Sequence, residues 1–374
     1  MRVPGAVSLP NCELPHRFAQ AGVTESETVV IHCAGRTRSI IGAAGLRLAG
    51  IKNPIFALEN GTQGWALSGR SLERDAVPSP LPRLAPADLE DSAARAERLM
   101  REEAIPTIDL PGLQRLADDT SRTLYVLDVR SAEEFAAGSL SGAIHAPGVQ
   151  IAQATDEWIG VRRARVVLLD DGGLRAALSA VFLRMLGYEI YVLRNVEALI
   201  GESFVRPDSP AQPVLPALKT IAAADAVHLT GTGEATLLDL RPSREFRLAH
   251  LRGALWTIRP RIRHLEADQA MPVLLVGPSA LAASVADDLK WMGYLDVQQV
   301  SGDLSDWQVE GLPLVSTPNQ PSDADAIDLL FFVHDRHDGN LDAARRYLEW
   351  ETGLVSLLDP AERAEFNIRP RPLF

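Results

Sequence analysis

Cysteine is scarce: the chain has two in 374 residues. Two cysteines cannot build a disulfide framework, so the core must rest on burial, and a reducing, cytoplasmic setting where a free thiol persists is expected. No apolar run approaches the ~18–20 residues of a membrane helix. The N-terminal stretch MRVPGAVSLPNCELP holds no continuous apolar core of signal-peptide length. No membrane partner is therefore expected. Basic charge is also short, with 37 Lys and Arg against 49 Asp and Glu, a net charge of −12. An acidic surface repels phosphate, which argues against nucleic acid as a partner.

Hydrophobic residues make up 46% and charged residues 23%, the profile of a globular protein rather than a disordered or fibrous one. The length suits two or three domains. Internal repetition organises them. LYVLDVRSAEEF (124–135) and ATLLDLRPSREF (235–246) place Asp128-Val129-Arg130 and Asp239-Leu240-Arg241 111 positions apart. At the same shift Gly142-Ala143 falls on Gly253-Ala254. A second pattern occurs three times, in VVIHCAGRTRSIIGAAGLRLAG (29–50), VVLLDDGGLRAALSAVFLRMLG (166–187) and VLLVGPSALAASVADDLKWMG (273–293). Each reads as a buried strand, a small or polar loop and a helix of about three turns. The helix stops at Gly50, Gly187 or Gly293, where glycine can take positive φ. A short strand follows: IFAL, IYVL or VQQV.

Alternating strands and helices predict an α/β fold: tandem units with doubly wound, mainly parallel sheets flanked by helices. The first copy is expected to be N-terminally truncated. Gly5-Ala6 matches Gly142-Ala143 at a shift of 137, so the Asp-x-Arg strand and first helix have no counterpart before it. A half sheet with an open edge would be poorly stable. The expected boundaries are 1–76 for the partial copy, 77–105 for a linker with a solvated helix at 87–103, 106–205 for the second copy, 206–216 for a Pro-rich linker, 217–317 for the third copy and 318–374 for a helical tail. In the tail a helix is predicted from Leu341 to about Leu354, capped by Asn340.

Chemistry concentrates in HCAGRTRS (32–39). Cys33 stands where a strand ends and a helix begins, the crevice in which α/β sheets bind ligands. Consecutive loop N–H groups can form an anion nest, the helix N-terminus adds partial positive charge, and Arg36 and Arg38 add full charges. All three favour thiolate over thiol. Ala34 and Gly35 are small enough for the backbone to curl around the sulfur. The plain alternative is a buried structural cysteine; the placement and the two arginines favour a nucleophile.

This loop resembles the active-site loop of the rhodanese sulfurtransferases. LENGTQGW (58–65) resembles that family's Glu-Gly-Gly…Trp segment, and Asp128-Val129-Arg130…Glu134-Phe135 and Asp239-Leu240-Arg241…Glu245-Phe246 resemble its Asp-x-Arg…Glu-Phe motif. The likeness covers residues 1–75, 106–200 and 217–314 and implies tandem rhodanese-like domains. It implies transfer of sulfane sulfur through a persulfide on Cys33, from thiosulfate or a related small anionic donor to cyanide or a thiol. A protein sulfur acceptor is a further possible partner. Ala34, Gly35, Arg36, Thr37, Arg38 and Ser39 would bind the substrate, with no metal or organic cofactor. Cysteine-dependent phosphatases and arsenate reductases are a lesser alternative, because they place arginine six positions after the cysteine. Here that position is Ser39, and Arg38 is five after. A non-enzymatic sulfur-relay scaffold or interaction protein is the other alternative.

The remaining copies lack the thiol. The second has Asp170-Asp171-Gly172-Gly173-Leu174-Arg175 at the loop and the third Gly277-Pro278-Ser279-Ala280. Both are expected to be inactive, serving packing, scaffolding or docking. Cys12, between prolines in LPNCELP, is expected to be a non-catalytic loop cysteine rather than a resolving thiol. His32 is expected to be structural and to point away from the loop, and Trp65 and Trp307 to be packing residues. HDRHDGN (334–340) reads as a polar turn before a helix rather than a metal site.

Overall fold

The computed structural model describes residues 1–74, 77, 81, 84–204, 215, 217–328, 336–337 and 339–368. The Pro-rich stretch expected at 206–216 lies mostly outside the described residues, as do three residues of HDRHDGN. The chain divides into two compact units, Met1–Ser209 with Asp335–Phe374, and Pro210–His334.

In the first unit the first copy contributes β1 (Val29–Ile31), α1 (Thr37–Leu48), β2 (Ile55–Ala57) and α2 (Gly61–Leu67), followed by α3 (Pro86–Glu102). The second copy follows with β3 (Thr107–Ile108), α4 (Leu110–Asp118), β4 (Leu124–Asp128), α5 (Ala132–Ala137), β5 (Ile144–His145), β6 (Arg165–Leu169), α6 (Leu174–Met185) and β7 (Glu189–Leu193). Its five strands form a parallel sheet in the order β3-β7-β6-β4-β5, whereas β1 and β2 form a parallel pair of their own.

In the second unit the third copy supplies β8 (Lys219–Ile221), α7 (Ala223–Thr232), β9 (Thr236–Asp239), α8 (Ser243–Leu248), β10 (His250–Leu251), β11 (Leu255–Trp256), β12 (Val273–Val276), α9 (Ser279–Trp291), β13 (Val297–Val300), α10 (Leu304–Val309) and β14 (Leu314–Val315). Five of its strands form a parallel sheet in the order β11-β9-β12-β13-β8, the same topology as in the second copy. The tail returns to the first unit as α11 (Leu341–Leu357) and α12 (Pro360–Ala364). Asn340 caps α11 by accepting from the Ala343 N–H, and the helix runs three residues past the predicted end.

The repeat holds at the level of single contacts. Arg130 binds its own Asp128 and reaches the Gly138 carbonyl at 2.8 Å, while Arg241 binds Asp239 and reaches the Ala249 carbonyl at 3.0 Å. Each Asp-x-Arg thus clamps a strand end to the short helix after it. Gly50, Gly187 and Gly293 have φ of +78°, +87° and +100°, the left-handed stop expected of them.

Burial follows the pattern of side chains. β6 is buried along its whole length, as a central parallel strand requires. The helix expected to be a solvated linker differs. α3 puts Ser92, Ala96 and Leu99 on one stripe and buries them, and Ala96 and Leu99 join a core with Leu48 and Ala49 of the first copy and Leu174 and Ala177 of the second. Its other faces are charged, so composition concealed a narrow apolar stripe.

The two copies of this unit also meet through Arg175, which is 1% exposed. Its guanidinium binds Glu13 at 2.9 Å, Glu134 at 2.6 Å, and Asp170 and Asp171 at 2.9 Å each. Burial would lower its pKa, but four carboxylates raise it well above the ordinary value. Glu134 feels the reverse: burial pushes it up, yet the Arg175 charge and hydrogen bonds hold it at about 2. Replacing Arg175 by Met should leave Asp170 as a buried charge without a cation, while Glu13 keeps its pair with Arg17 at 2.6 Å. Urea unfolding should then show a loss of about 3–5 kcal/mol.

Candidate active site

Cys33 stands one residue beyond β1, after His32, and precedes α1, at the C-terminal edge of the strand pair. What shapes its loop is the start of α2. The Thr62 N–H donates to the Cys33 carbonyl at 2.8 Å, and the Gln63 N–H to the Ala34 carbonyl at 3.1 Å. Gln63 Nε2 donates to the same Ala34 carbonyl at 3.2 Å. Helix α2 therefore spends its unpaired N-terminal donors on loop carbonyls. This approach requires glycine at 61: its φ is +56°, and a Cβ there would lie 2.3 Å from the Cys33 oxygen and 2.5 Å from the Gly35 oxygen.

The Cys33 thiol donates to Ser39 Oγ at 3.6 Å, and Ser39 Oγ donates to the Arg36 carbonyl at 2.8 Å. Ser39 is buried beneath the loop at 1% exposure. Among the described residues no side chain caps the N-terminus of α1. Its first N–H groups thus remain for whatever sits at the thiol.

The predicted binding residues separate. Cys33, Ala34 and Arg38 line one cavity of about 770 Å³, together with His32 and Thr62. Arg36 instead reaches sideways to Asn60 Oδ1 at 3.3 Å. Thr37 is turned toward the tail, its Oγ1 donating to Glu351 Oε1 at 2.6 Å. Gly35 passes under the same helix, where a Cβ would meet Glu351 Oε2 at 3.2 Å and Tyr347 Cε1 at 3.4 Å.

Several contributors were not legible as site residues. Thr62 and Gln63 lie in a motif that was recognised, but nothing in the sequence says that their amides hold the loop. Glu351 and Tyr347 are more than 300 positions away, on α11. Glu351 Oε2 and Gln63 Oε1 are buried with no hydrogen-bond partner. Burial and then the Glu351 charge push the Tyr347 phenol up, and the charge at Cys33 adds to this. Arg336, whose guanidinium lies 4.4 Å from the Tyr347 ring centre, and Arg38 oppose it.

His32 lines the cavity as well, rather than serving the core alone. Its Nδ1 is buried without a hydrogen-bond partner, and burial lowers its pKa, opposed by the Cys33 backbone. Trp307 is 2% exposed and packs in the core of the second unit. Trp65 is half-buried and donates to the Ser71 carbonyl at 2.9 Å. Of HDRHDGN, Arg336 and His337 lie in a turn. Cys12 packs toward the second copy: a Cβ on Gly148 would sit 2.7 Å from its Cβ. Burial and the Glu13 charge push the Cys12 thiol up to about 11.

A half-buried thiol between a parallel strand and a helix N-terminus, with an arginine in the same cavity, has the layout of a cysteine-dependent group-transfer protein. Comparison with known proteins narrows this. The family model described as Rhodanese-like domain matches residues 1–68 and 112–195. The crystal structure of thiosulfate sulfurtransferase from Pseudomonas aeruginosa is 33% identical, with a TM-score of 0.79, over 98% of this chain and 70% of that one. The polysulfide-sulfur transferase homodimer from Wolinella succinogenes is 20% identical over 28% of this chain and 82% of that one, with a TM-score of 0.24. None of the curated proteins matches. The chain belongs to the rhodanese-like family of sulfurtransferases. No helix among the described residues is long and apolar enough to cross a membrane.

Two outcomes follow from this geometry. Gly61→Ala should destabilise the first unit by about 1–3 kcal/mol in urea unfolding, because backbone oxygens cannot yield as a side chain would. With a thiol near 11, only about 0.1% of Cys12 is thiolate at pH 8. Mass spectrometry after brief iodoacetamide treatment at pH 8 should find Cys12 unmodified, and its alkylation should speed up as pH rises toward 11.

Proposed function

We propose that the protein transfers sulfane sulfur from thiosulfate or a related small anion to cyanide or a thiol, through a persulfide on Cys33. One observation carries the reading. At the position equivalent to Cys33, the second copy holds a carboxylate, Asp170, whose Oδ2 accepts from the N–H groups of Arg175 and Ala176 at 2.8 and 3.2 Å. Arg175 Nε adds a third contact at 2.9 Å. The equivalents of those two residues are Arg38 and Ser39. This strand-to-helix junction is thus built to hold negative charge, and the first copy puts a sulfur atom there.

The chemistry balances on these residues. The Cys33 thiolate attacks the outer sulfur of thiosulfate, the S–S bond breaks, and sulfite leaves with the bonding pair. The α1 N-terminus and Arg38 stabilise the incoming anion and the persulfide, while Arg36 is turned aside to Asn60. Cyanide or a thiolate then attacks the outer persulfide sulfur, and Cys33 departs as thiolate. A protein thiol could take the same place. The nucleophile must stay reduced between turnovers, which suits the cytoplasm.

A cyanolysis assay tests this directly. Cys33→Ser should lose at least about 10³-fold in kcat/KM for thiosulfate, as removal of a nucleophile does. Equal activity of the two proteins, or turnover of a phenyl phosphate ester but not of thiosulfate, would retire the sulfur reading.

A further inference from the structure

The Cys33 loop has a neighbour that its own sequence does not announce. Helix α11 buries Ala343, Ala344 and Leu348 and packs on α2, whose first amides hold the Cys33 and Ala34 carbonyls. This docking sets Glu351 against the loop. Its Oε1 accepts from Thr37 Oγ1 at 2.6 Å, in the first turn of α1. Its Oε2 is buried with no hydrogen-bond partner, 3.2 Å from where a Gly35 Cβ would stand. Tyr347, one turn earlier on α11, reaches within 3.4 Å of the same point. A carboxylate oxygen enclosed in this way is poorly screened by water, so its charge acts over several ångströms.

The field that Glu351 meets is also thinner than the loop sequence suggests. The sequence places two guanidinium groups near the thiol, but Arg36 donates to Asn60 at 3.3 Å. Arg38 and the first turn of α1, which no side chain caps among the described residues, supply the positive charge that is left. The Tyr347 phenol registers the balance. Burial pushes its pKa up most and the Glu351 charge comes next, while Arg336 opposes them, Cys33 adds to the rise and Arg38 lowers it. Glu351, Cys33 and Arg38 thus act at one place. Arg336 stands over Tyr347, its guanidinium 4.4 Å from the ring centre.

The two segments that match the family model, 1–68 and 112–195, do not include α11. Glu351 is therefore brought to a family loop from outside it.

We propose that Glu351 is a specificity-determining residue, whose carboxylate weights the Cys33 loop against the more negatively charged of two otherwise comparable reactants. For sulfur donors, where this rests on the function proposed above, Glu351 disfavours a dianion such as thiosulfate relative to a monoanion with the same sulfane sulfur, such as an alkyl thiosulfonate. Its bond to Thr37 holds the charge in place against the start of α1.

The test uses the full chain and two pairs of reactants, each pair differing by one negative charge. Iodoacetate and iodoacetamide alkylate Cys33, read at that residue by mass spectrometry. Thiosulfate and methanethiosulfonate serve as donors in cyanolysis. Glu351→Gln removes the charge and keeps an oxygen that accepts from Thr37. It should raise the iodoacetate-to-iodoacetamide rate ratio at Cys33 about threefold or more, because one enclosed charge no longer repels one unit of reactant charge. The ratio of kcat/KM for thiosulfate to that for methanethiosulfonate should rise by a similar factor. Glu351→Met, which also lacks the charge, should raise both ratios too. Glu351→Asp keeps the charge and should leave both near wild type, even where it slows every reaction. An alkylation ratio that stays unchanged in the two neutral variants overturns the proposal. An equal rise in Glu351→Asp does the same, since it would trace the effect to packing. Absence of turnover with either donor would defeat the sulfur-transfer reading alone, because the alkylation ratio still decides the role of Glu351.

Discussion

The candidate site depends on one backbone contact: the N-terminus of α2 against the carbonyls of Cys33 and Ala34. A loop that leads from a strand into a helix must turn its carbonyls somewhere. Here Thr62 and Gln63 take two of them, and glycine at 61 lets the chains approach closely enough. With those oxygens engaged away from the thiol, the positive end of α1 faces it without competition from nearby carbonyl dipoles. Ser39 then ties the Arg36 carbonyl back into the helix, and the loop has little freedom left.

The tail adds a constraint of another kind. Glu351 grips Thr37, while its second oxygen and the Tyr347 ring crowd Gly35, where even a methyl group would be tight. A carboxylate so close to the loop opposes the positive field of the α1 N-terminus and Arg38. That arrangement is tolerable because Glu351 reaches the outer side of Gly35 and Thr37, whereas Arg38 lines the cavity on the sulfur side. Two faces of one short turn therefore carry opposite charge.

Much of this was legible in the sequence, for a definite reason. Repetition allowed strands, loops and terminal glycines to be aligned against one another, so β1, β6 and β12 and the stops at Gly50, Gly187 and Gly293 could be read from pattern alone. The Cys33 loop stood out because its charges are local. What stayed hidden was assembled from distant residues. Glu13 reaches Arg175 across 162 positions and Glu351 reaches Thr37 across 314, and neither carboxylate sits in a pattern that marks it. Similarly, α3 has a charged composition, and its narrow buried stripe shows only once α6 is beside it.

The three copies show how one junction can take three forms. In the first, sulfur stands at the end of the strand and the helix N-terminus is uncapped by any side chain. In the second, Asp170 occupies the equivalent place and accepts from the helix amides itself, so the charge that a substrate would bring is already present. The arginine common to both loops has a different task in each. Arg38 faces a cavity, whereas Arg175 is closed over by Glu13 from the first copy. In the third, Pro278 stands at the N-cap, and Gln299 ties the Gly277 carbonyl and the Ser279 hydroxyl together at 3.1 Å each. Neither a charged side chain nor a thiol remains in that turn. The second copy thus meets the first through a buried ionic joint, at a junction whose own anion site is filled by Asp170.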